Sequence, residues 1–253
     1  VTGDLEPTTW DARRTSFGSV AAEYAQLRPG YPADAVAFLL GEAPRRVLDL
    51  GAGTGLLTDQ LLAAGHEVVA VDPSADMLAQ LTARHPHVEA AVGGAEQIPL
   101  PDGSVDAVVA GQAAHWFDPP RAAPELRRVL APGGVVGFVW NVRDETVPWI
   151  AALGAELAEE ARGHEADQGV VGRFAAQLPA DVVEHVSRVV QRLTPEQVVA
   201  GIGTRSYVAT MTPPDRTAFL DRLRTLLAEH PDTAGRTELE LPHATHSVRL
   251  TPR

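Results

Sequence analysis

The stretch RVLDLGAGTGLLTDQLLAAGHEVVAVD, residues 46–72, decides the fold. Its apolar ends, 46–50 and 67–71, predict two strands, and the apolar segment 56–64 between them predicts a helix that ends at Gly65. A strand, a helix and a second strand within about 30 residues form a βαβ unit, and such a crossover implies parallel strands. The stretch therefore predicts the start of a parallel sheet with helices packed against it.

The same alternation continues along the rest of the chain. Later apolar segments predict strands at 88–92, 105–110, 135–140, 183–193 and 237–250. Amphipathic or capped segments predict helices at 33–40, 74–84, 121–130, 148–161, 196–201 and 214–230. Strands that alternate with helices are typical of a doubly wound α/β sheet. We therefore expect a Rossmann-like, mostly parallel, seven-stranded sheet with a small helical cap.

Four segments are expected on this basis. Residues 1–32 form an N-terminal lid segment and residues 33–159 form the Rossmann-like core. The pattern becomes polar and irregular after this core, so we place a cap or substrate insertion at 160–210. Residues 211–253 then supply a C-terminal helix and a last strand that returns to the core.

Composition excludes several classes of protein and site. The formal net charge of −12 makes the chain repel phosphate backbones and anionic membranes. The absence of cysteine excludes disulfides, cysteine-ligated metals and thiol nucleophiles. Residues 1–10 do not resemble a signal peptide, and no apolar run approaches the ~20 residues of a membrane helix. We expect a cytoplasmic monomer or homodimer that acts on a small molecule, not on nucleic acid or a membrane.

Two histidines near the end of the chain, His243 and His246, have the spacing of a metal pair. No third ligand of the histidine or cysteine type lies near them, although zinc sites use three or four protein ligands. On a strand, positions three apart also point to opposite faces. We therefore predict no metal site.

Three glycines, Gly51, Gly53 and Gly55, form the turn after the first strand. Without a Cβ they permit a sharp turn and a close approach of a ligand to the backbone, next to the positively polarised start of a helix. Asp72 ends the next strand about 20 residues on, where an acid accepts hydrogen bonds from ribose hydroxyls. A purely structural turn is one alternative, and a nicotinamide or flavin site is another. The G-x-G-x-G spacing differs from the dinucleotide pattern G-x-G-x-x-G and favours a single nucleoside with an amino-acid tail.

Four stretches of the chain resemble motifs of the class I S-adenosylmethionine (SAM)-dependent methyltransferases. They are VLDLGAGTG (47–55), VDPSADML (71–78), AEQIPLPDGSVDAVVAGQAAHWFD (95–118) and RRVLAPGGVVGFVWNVRD (127–144). The HWFD and WNVRD features resemble the small-molecule branch that includes trans-aconitate methyltransferases. The resemblance implies SAM as cofactor and S-adenosylhomocysteine as product.

The resemblance also implies a cofactor site made of residues from the strand ends and the lid. It comprises Tyr24, Arg28, Asp49, Gly51, Ala52, Gly53, Thr54, Gly55, Asp72, Pro73, Met77, Ala95, Glu96, Gln112 and Ala113. In this arrangement Asp49 meets the SAM amino group and Asp72 holds the ribose hydroxyls. The glycine turn, Gln112 and Ala113 border the methionine part, and Tyr24 and Arg28 meet the SAM carboxylate or the substrate.

The adenine end of the site is implied by the same resemblance. Pro73 and Met77 pack on the adenine ring, and Ala95 and Glu96 reach its amino group. Many relatives carry an acid where this chain has Gly94. Glu96 therefore substitutes for that acid, or the backbone alone reads the adenine edge.

His115 is the candidate catalytic residue, because it follows the fourth strand at the carboxyl edge and a histidine side chain can act as a general base. A structural histidine that bonds a loop is the alternative. The candidate substrate residues lie at the strand ends, in the lid and in the cap: Tyr31, Trp116, Trp140, Asn141, Arg143, Arg173, Phe174, Arg205 and Tyr207. Arg143 would clamp a substrate carboxylate, or else pair with Asp144 or Glu145.

We thus expect a SAM-dependent methyltransferase of secondary or central metabolism that methylates a small molecule on oxygen, at a carboxylate or hydroxyl. Methyl transfer from a sulfonium mainly needs proximity and alignment, and a carboxylate acceptor needs no base. One alternative keeps SAM but uses it for cyclisation or another reaction of a bound substrate. A second alternative is a protein that binds SAM without turnover.

Overall fold

The computed structural model describes residues 27–157, 169–205, 208 and 210–253. The strands are β1 (Arg46–Leu50), β2 (Glu67–Asp72), β3 (Glu89–Val92), β4 (Val105–Gly111), β5 (Leu130–Arg143), β6 (Ala180–Leu193) and β7 (Leu239–Pro252). The helices are α1 (Ala33–Leu40), α2 (Leu56–Ala63), α3 (Ala75–Arg84), α4 (Pro119–Val129), α5 (Pro148–Glu156), α6 (169–177), α7 (Pro195–Gly203) and α8 (Pro213–Glu229).

The seven strands form one sheet in the order β3-β2-β1-β4-β5-β7-β6. Strands β1 to β5 pair in parallel, and β7 is antiparallel to both β5 and β6. The expected Rossmann-like, mostly parallel seven-stranded sheet is confirmed. Because β1, β2, β4 and β5 run the same way, the residues that follow them meet at one edge.

The first βαβ unit forms where its sequence pattern predicts. Leu57 and Leu61 lie on one side of α2 and are buried, as helical spacing requires. The helix ends at a left-handed Gly65 with φ of 85°, whose N–H donates to Leu62 O at 3.0 Å. Residues of β1 alternate between the two sides of the sheet, with Val47 in one apolar cluster and Leu48 in the other.

Two apolar clusters cover the two faces of the sheet, and a third joins the helices beyond β6 and β7. α1, α2 and α3 pack on one face, and α4 and α6 pack on the other. The third cluster joins α5, α7 and α8 to the ends of β6 and β7, through residues such as Ile150, Val199 and Leu223. Since β6 is parallel to β1 to β5, this helical group lies toward the carboxyl edge of the sheet.

The expected boundaries of the cap differ from the structure. The range 160–210 contains all of β6, which is an edge strand of the sheet, whereas the helical group beyond the edge also takes α5 and α8 from outside that range. The strand predicted at 183–193 was assigned to the insertion, whereas β6 pairs with β7 along its whole length and belongs to the sheet. Most of the expected lid, residues 1–26, lies outside the described residues. No helix among the described residues is long and apolar enough to cross a bilayer.

Candidate functional site

A pocket opens at the carboxyl edge of the sheet, between the ends of β1, β2 and β4. It holds about 760 Å³ of empty volume, open solvent included, which is the size of a small-molecule site. Its lining comes from the strand ends and the loops after them: Leu50, Gly51, Gly53, Asp72, Pro73, Ser74, Met77, Gly93, Gly94, Ala95, Glu96, Gly111, Gln112, Ala113, Trp116 and Phe117. Ten of the residues predicted from the sequence to bind a cofactor or substrate are in this set.

The glycine turn lies along one wall of the pocket and its conformation requires glycine. Gly51 and Gly53 have φ of 74° and 56°, in the left-handed region. The N–H of Gly51 donates to Val71 O at 2.7 Å, which continues the pairing of β1 with β2 beyond the strand end. A Cβ on Gly51 would lie 2.6 Å from that of Ala113, so the turn and the loop after β4 are in close contact.

Asp72 holds the turn from the end of β2. Its Oδ2 accepts the N–H of Gly53 at 2.9 Å, and its Oδ1 accepts the N–H of Ser74 at 2.8 Å. The side chain of Ser74 in turn caps α3 by accepting the N–H of Met77. One carboxylate therefore fixes both the glycine turn and the loop that leads into α3, and it lies in the pocket wall.

Asp49 is buried beneath the turn and does not line the pocket. Its Oδ2 accepts a 2.6 Å hydrogen bond from Thr58 Oγ1, but its Oδ1 is buried without a hydrogen-bond partner. Burial, together with the negative charges of Asp72 and Asp59, raises the pKa of Asp49 to about 7. A cationic group placed beside the turn would favour the ionised carboxylate.

Gly55, the third glycine of the motif, has a different place from the first two. It caps α2 with φ of 90° and does not line the pocket. A Cβ there would lie 2.9 Å from Leu81 Cγ, so the missing side chain lets α3 pack closely against the turn. Ala52 and Thr54 are likewise buried within the turn and outside the lining.

The opposite wall comes from the loops after β3 and β4. Glu96 lines the pocket, and its Oε1 accepts the N–H of Asp118 at 2.9 Å. Gln112 adopts a left-handed φ of 54°, the one such case among the described residues other than glycine. Its backbone N–H donates to Val139 O, and its side chain donates to Asn141 O, both at 2.9 Å. These bonds hold the loop after β4 against the end of β5.

A short 3₁₀ helix after β4, Ala114–Trp116, carries the candidate catalytic residue. Trp116 and Phe117 line the pocket, and the ring of His115 lies 5.0 Å from that of Trp116. His115 itself is not among the lining residues of the described chain. The structure thus places the tryptophan in the pocket wall and the histidine outside the lining.

Three arginines that were predicted to bind the cofactor or the substrate lie around the buried His243. Arg143 is the pairing partner of His243 between β5 and β7. Burial, together with the positive charges of Arg143, Arg205 and Arg28, lowers the pKa of His243 to about 4. The Nδ1 of this histidine lies 3.0 Å from Leu241 O. Arg28 of the lid, Arg143 at the end of β5 and Arg205 two residues after α7 thus bring positive charge to His243.

Asn141 organises the described end of the lid. Its Nδ2 donates to the carbonyls of Pro29 and Gly30 at 3.4 and 3.1 Å, and its Oδ1 accepts a 2.6 Å bond from Thr245. Both amide hydrogens are therefore used within the chain. These bonds fix the segment that carries Arg28, and the expected contact of Asn141 with a substrate stays a prediction.

Other predicted substrate residues occupy the core. Phe174 is fully buried against Phe138, and Trp140 is 4% exposed in the same cluster. Tyr31 is buried beside Gly111, where a Cβ would lie 2.6 Å from the phenol oxygen. None of these three side chains is among the residues that line the pocket. That they contact a substrate stays a prediction.

The remaining predicted residues divide into two groups. Arg173 is exposed on α6, outside the pocket lining. Tyr24 and Tyr207 lie outside the described residues. Sequence reasoning also missed six lining residues: Leu50, Ser74, Gly93, Gly94, Gly111 and Phe117. Most of these stand next to a residue that was selected, so their position at a strand end was the available signal.

Comparisons with known proteins agree with this architecture. A family model described as a methyltransferase domain matches residues 48–138. An uncharacterized methyltransferase of Mycobacterium tuberculosis is 47% identical over 237 residues, which cover 93% of this chain and 95% of that protein. The chain belongs to the class I SAM-dependent methyltransferase family. It is therefore an enzyme whose cofactor is SAM, not a nicotinamide or flavin.

Two further relatives of this methyltransferase are informative. A solved structure of a putative type II methyltransferase from Anaeromyxobacter dehalogenans has a TM-score of 0.66 and 30% identity, covering 89% of this chain and 97% of that one. A malonyl-[acyl-carrier protein] O-methyltransferase of Pectobacterium atrosepticum is 36% identical over 127 residues, which are 49% of this chain and 50% of that protein. The trans-aconitate-like branch stays a prediction.

The pocket fits SAM on two observations. Asp49 Oδ1 is a buried carboxylate oxygen without a partner next to the turn, and it suits a cationic ammonium group. Gly53 lines the pocket, and a Cβ added there would meet no atom within 4 Å, so the space beside the turn is open. Asp72 adds a carboxylate that lies in the same wall.

Proposed function

We propose that this methyltransferase methylates an oxygen atom of a small molecule, and that the preferred acceptor is a carboxylate. The observation that carries the proposal is the group of Arg28, Arg143 and Arg205 around His243, at the carboxyl edge of the sheet. Guanidinium groups bind carboxylates through paired, charge-assisted hydrogen bonds. The malonyl-carrier O-methyltransferase named above supports an oxygen acceptor, since its name assigns that chemistry to a relative.

The roles proposed for the cofactor side follow the walls of the pocket. Asp72 accepts hydrogen bonds from the ribose hydroxyls, and Asp49 stabilises the amino group beneath the turn. Pro73 and Met77 pack on adenine, and Glu96 faces its amino group. Loop residues 112 and 113 border the methionine part. SAM supplies a methyl group on a positively charged sulfur, which the acceptor oxygen displaces in line.

The acceptor side needs positioning more than proton transfer. A carboxylate is already ionised at neutral pH, so no general base is required. Trp116 walls the pocket, and the three arginines hold the acceptor anion at the edge of the sheet. A hydroxyl acceptor is the second form of the proposal, and His115 would then act as the base. We further propose that residues 1–32 close over the site and that the protein acts in the cytoplasm.

The test compares acceptors that differ in one group. Each carboxylic acid in a set is assayed beside its primary alcohol and its amide, with mass-spectrometric detection of the methylated product. We expect products from the acids, and we expect mild base to remove the added methyl group because esters hydrolyse where ethers and N-methyl groups do not. Base-stable N-methyl products from the amides, or a cyclised product without a methyl group, would overturn the proposal.

A variant pair tests the arginines separately. Arg143→Gln removes one guanidinium of the group and should raise KM for the acid at least tenfold, which corresponds to about 1.4 kcal/mol, with little change in SAM affinity. Arg173→Gln makes the same change at an exposed position outside the pocket and serves as the control. Equal effects of the two variants would remove Arg143 from the acceptor site.

A further inference from the structure

Strand β6 ends the sheet with a long edge that no other described strand pairs with. It pairs with β7 along all fourteen residues without a register shift. It contains no proline, glycine or lysine, and no bulge turns it away from its neighbours. An unpaired row of backbone groups is a template for another strand, and proteins usually blunt such edges with proline, with lysine and other charged residues, or with bulges. β6 has no proline, lysine or bulge, and its charges are of both signs.

One face of this edge strand is exposed and partly apolar. Val182, Val186 and Val190 are 39%, 55% and 52% exposed. Glu184 and Arg188 alternate with the valines on the same face and are also exposed. Among the described residues neither of these two charged side chains lies within 4.0 Å of an opposite charge, although Arg188 interacts electrostatically with Asp144, whereas Arg192 on the same strand pairs with Glu240.

We propose that β6 is a dimer interface, at which two copies of this chain pair their edge strands antiparallel about a two-fold axis through Val186. This register places Glu184 opposite Arg188 of the second copy, Val182 opposite Val190, and Val186 opposite itself. Directly opposed residues of antiparallel strands share a face, so apolar groups meet apolar groups and acid meets base. The two sheets become one sheet with seven strands from each copy.

Other registers of the same strand pair are unfavourable, so a second copy is expected to pair with β6 in a single alignment. An axis at residue 185 places Val186 opposite Glu184, and an axis at residue 187 places it opposite Arg188. An axis at Glu184 places the two Glu184 carboxylates opposite each other, and an axis at Arg188 does the same with the two guanidinium groups. Like charges directly opposite each other destabilise a strand pair. The exposed pattern of β6 is thus complementary to itself only about Val186.

The first measurement is the mass of the full chain in solution at tens of micromolar, by sedimentation velocity. We expect a species of twice the 26.8 kDa of the chain. Glu184→Arg and Arg188→Glu should each shift it toward the monomer by at least tenfold in dissociation constant, and the double exchange should restore the dimer. Val92→Arg places a new charge at the exposed opposite edge, on β3, and should leave the dimer unchanged. A monomeric wild type would overturn the proposal.

Cross-linking then tests the register, since the chain has no cysteine of its own. Val186→Cys puts two sulfur atoms opposite each other at a Cα separation of about 4.5–5.5 Å, within disulfide range. Val190→Cys puts them about 27 Å apart, because eight residues of strand separate the two positions. Under mild oxidation we expect a covalent dimer from the first variant and none from the second. Equal cross-linking of both, in variants with wild-type melting curves, would overturn the proposed interface.

Discussion

Gly53 and Gly55 belong to the same turn, but we expect substitutions at the two positions to affect different properties: ligand binding at Gly53 and packing at Gly55. Both have positive φ, so an alanine at either position carries a cost of about 1–2 kcal/mol. At Gly55 the new Cβ would also lie 2.9 Å from Leu81 Cγ and 3.2 Å from Arg84 Nη2, which adds about 1–3 kcal/mol of overpacking. At Gly53 it would meet no protein atom within 4 Å.

Gly55→Ala should therefore lower the free energy of unfolding by about 2–5 kcal/mol, and Gly53→Ala by about 1–2 kcal/mol. Ligand binding should change in the opposite order. The added methyl group at Gly53 occupies the space beside the turn, so SAM should bind at least tenfold more weakly, which is about 1.4 kcal/mol. Gly55→Ala should stay within about threefold of the wild type, as long as the protein is folded at the temperature of the measurement.

Urea denaturation measures the first quantity, and calorimetric titration with SAM and with S-adenosylhomocysteine measures the second. The titrations are run well below the melting temperature of the weaker variant, so that unfolding does not enter the affinity. If Gly55→Ala keeps the stability of the wild type, the close contact with Leu81 relaxes freely and the packing argument is wrong. If it loses as much affinity as Gly53→Ala, the turn acts as one unit.

Three further changes test the site. Asp49→Asn removes a carboxyl group whose pKa rises from 3.8 to about 7 on folding, so the folded wild type favours its protonated form. Without ligand, the wild type should therefore lose at most about 4 kcal/mol of stability relative to the variant as the pH rises from 4 to 8. Melting curves of the two proteins that stay parallel across that range would contradict this. Asp72→Ala should weaken SAM binding by more than tenfold in calorimetry, and a change of only a few-fold would remove its proposed role. His115→Ala should keep turnover of a carboxylic acid within about tenfold in the mass-spectrometric assay, because that acceptor needs no base; a far larger loss of kcat would restore the histidine as a catalytic residue.

Features that depend on nearby residues were predictable from the sequence. The period of apolar residues and the glycine turn placed β1, α2 and β2 within about a residue of their observed ends. The parallel order of the strands then placed Asp72 and Gln112 at one edge, since every parallel strand delivers its last residue there.

Features that depend on distant residues were not predictable. Asn141 bonds a segment 111 residues earlier in the chain, and the positive charge around His243 comes from residues as far apart as Arg28 and Arg205. The sequence does not show which side of a strand or helix a neighbour will cover, so Trp140 and Phe174 were predicted to bind substrate. In the structure both rings lie in the apolar cluster that the helix at 169–177 helps to form.

Asp72 fastens the glycine turn before any ligand arrives, since its two oxygens hold the N–H groups of Gly53 and Ser74. The entropy of ordering this loop is lost when the chain folds, and it is not lost again on binding. The nucleoside and the amino-acid tail are common to SAM and to S-adenosylhomocysteine, so a preordered turn favours reactant and spent product alike. The ratio of the two molecules around the enzyme, and not the amount of SAM alone, therefore sets the fraction of enzyme ready for another turnover.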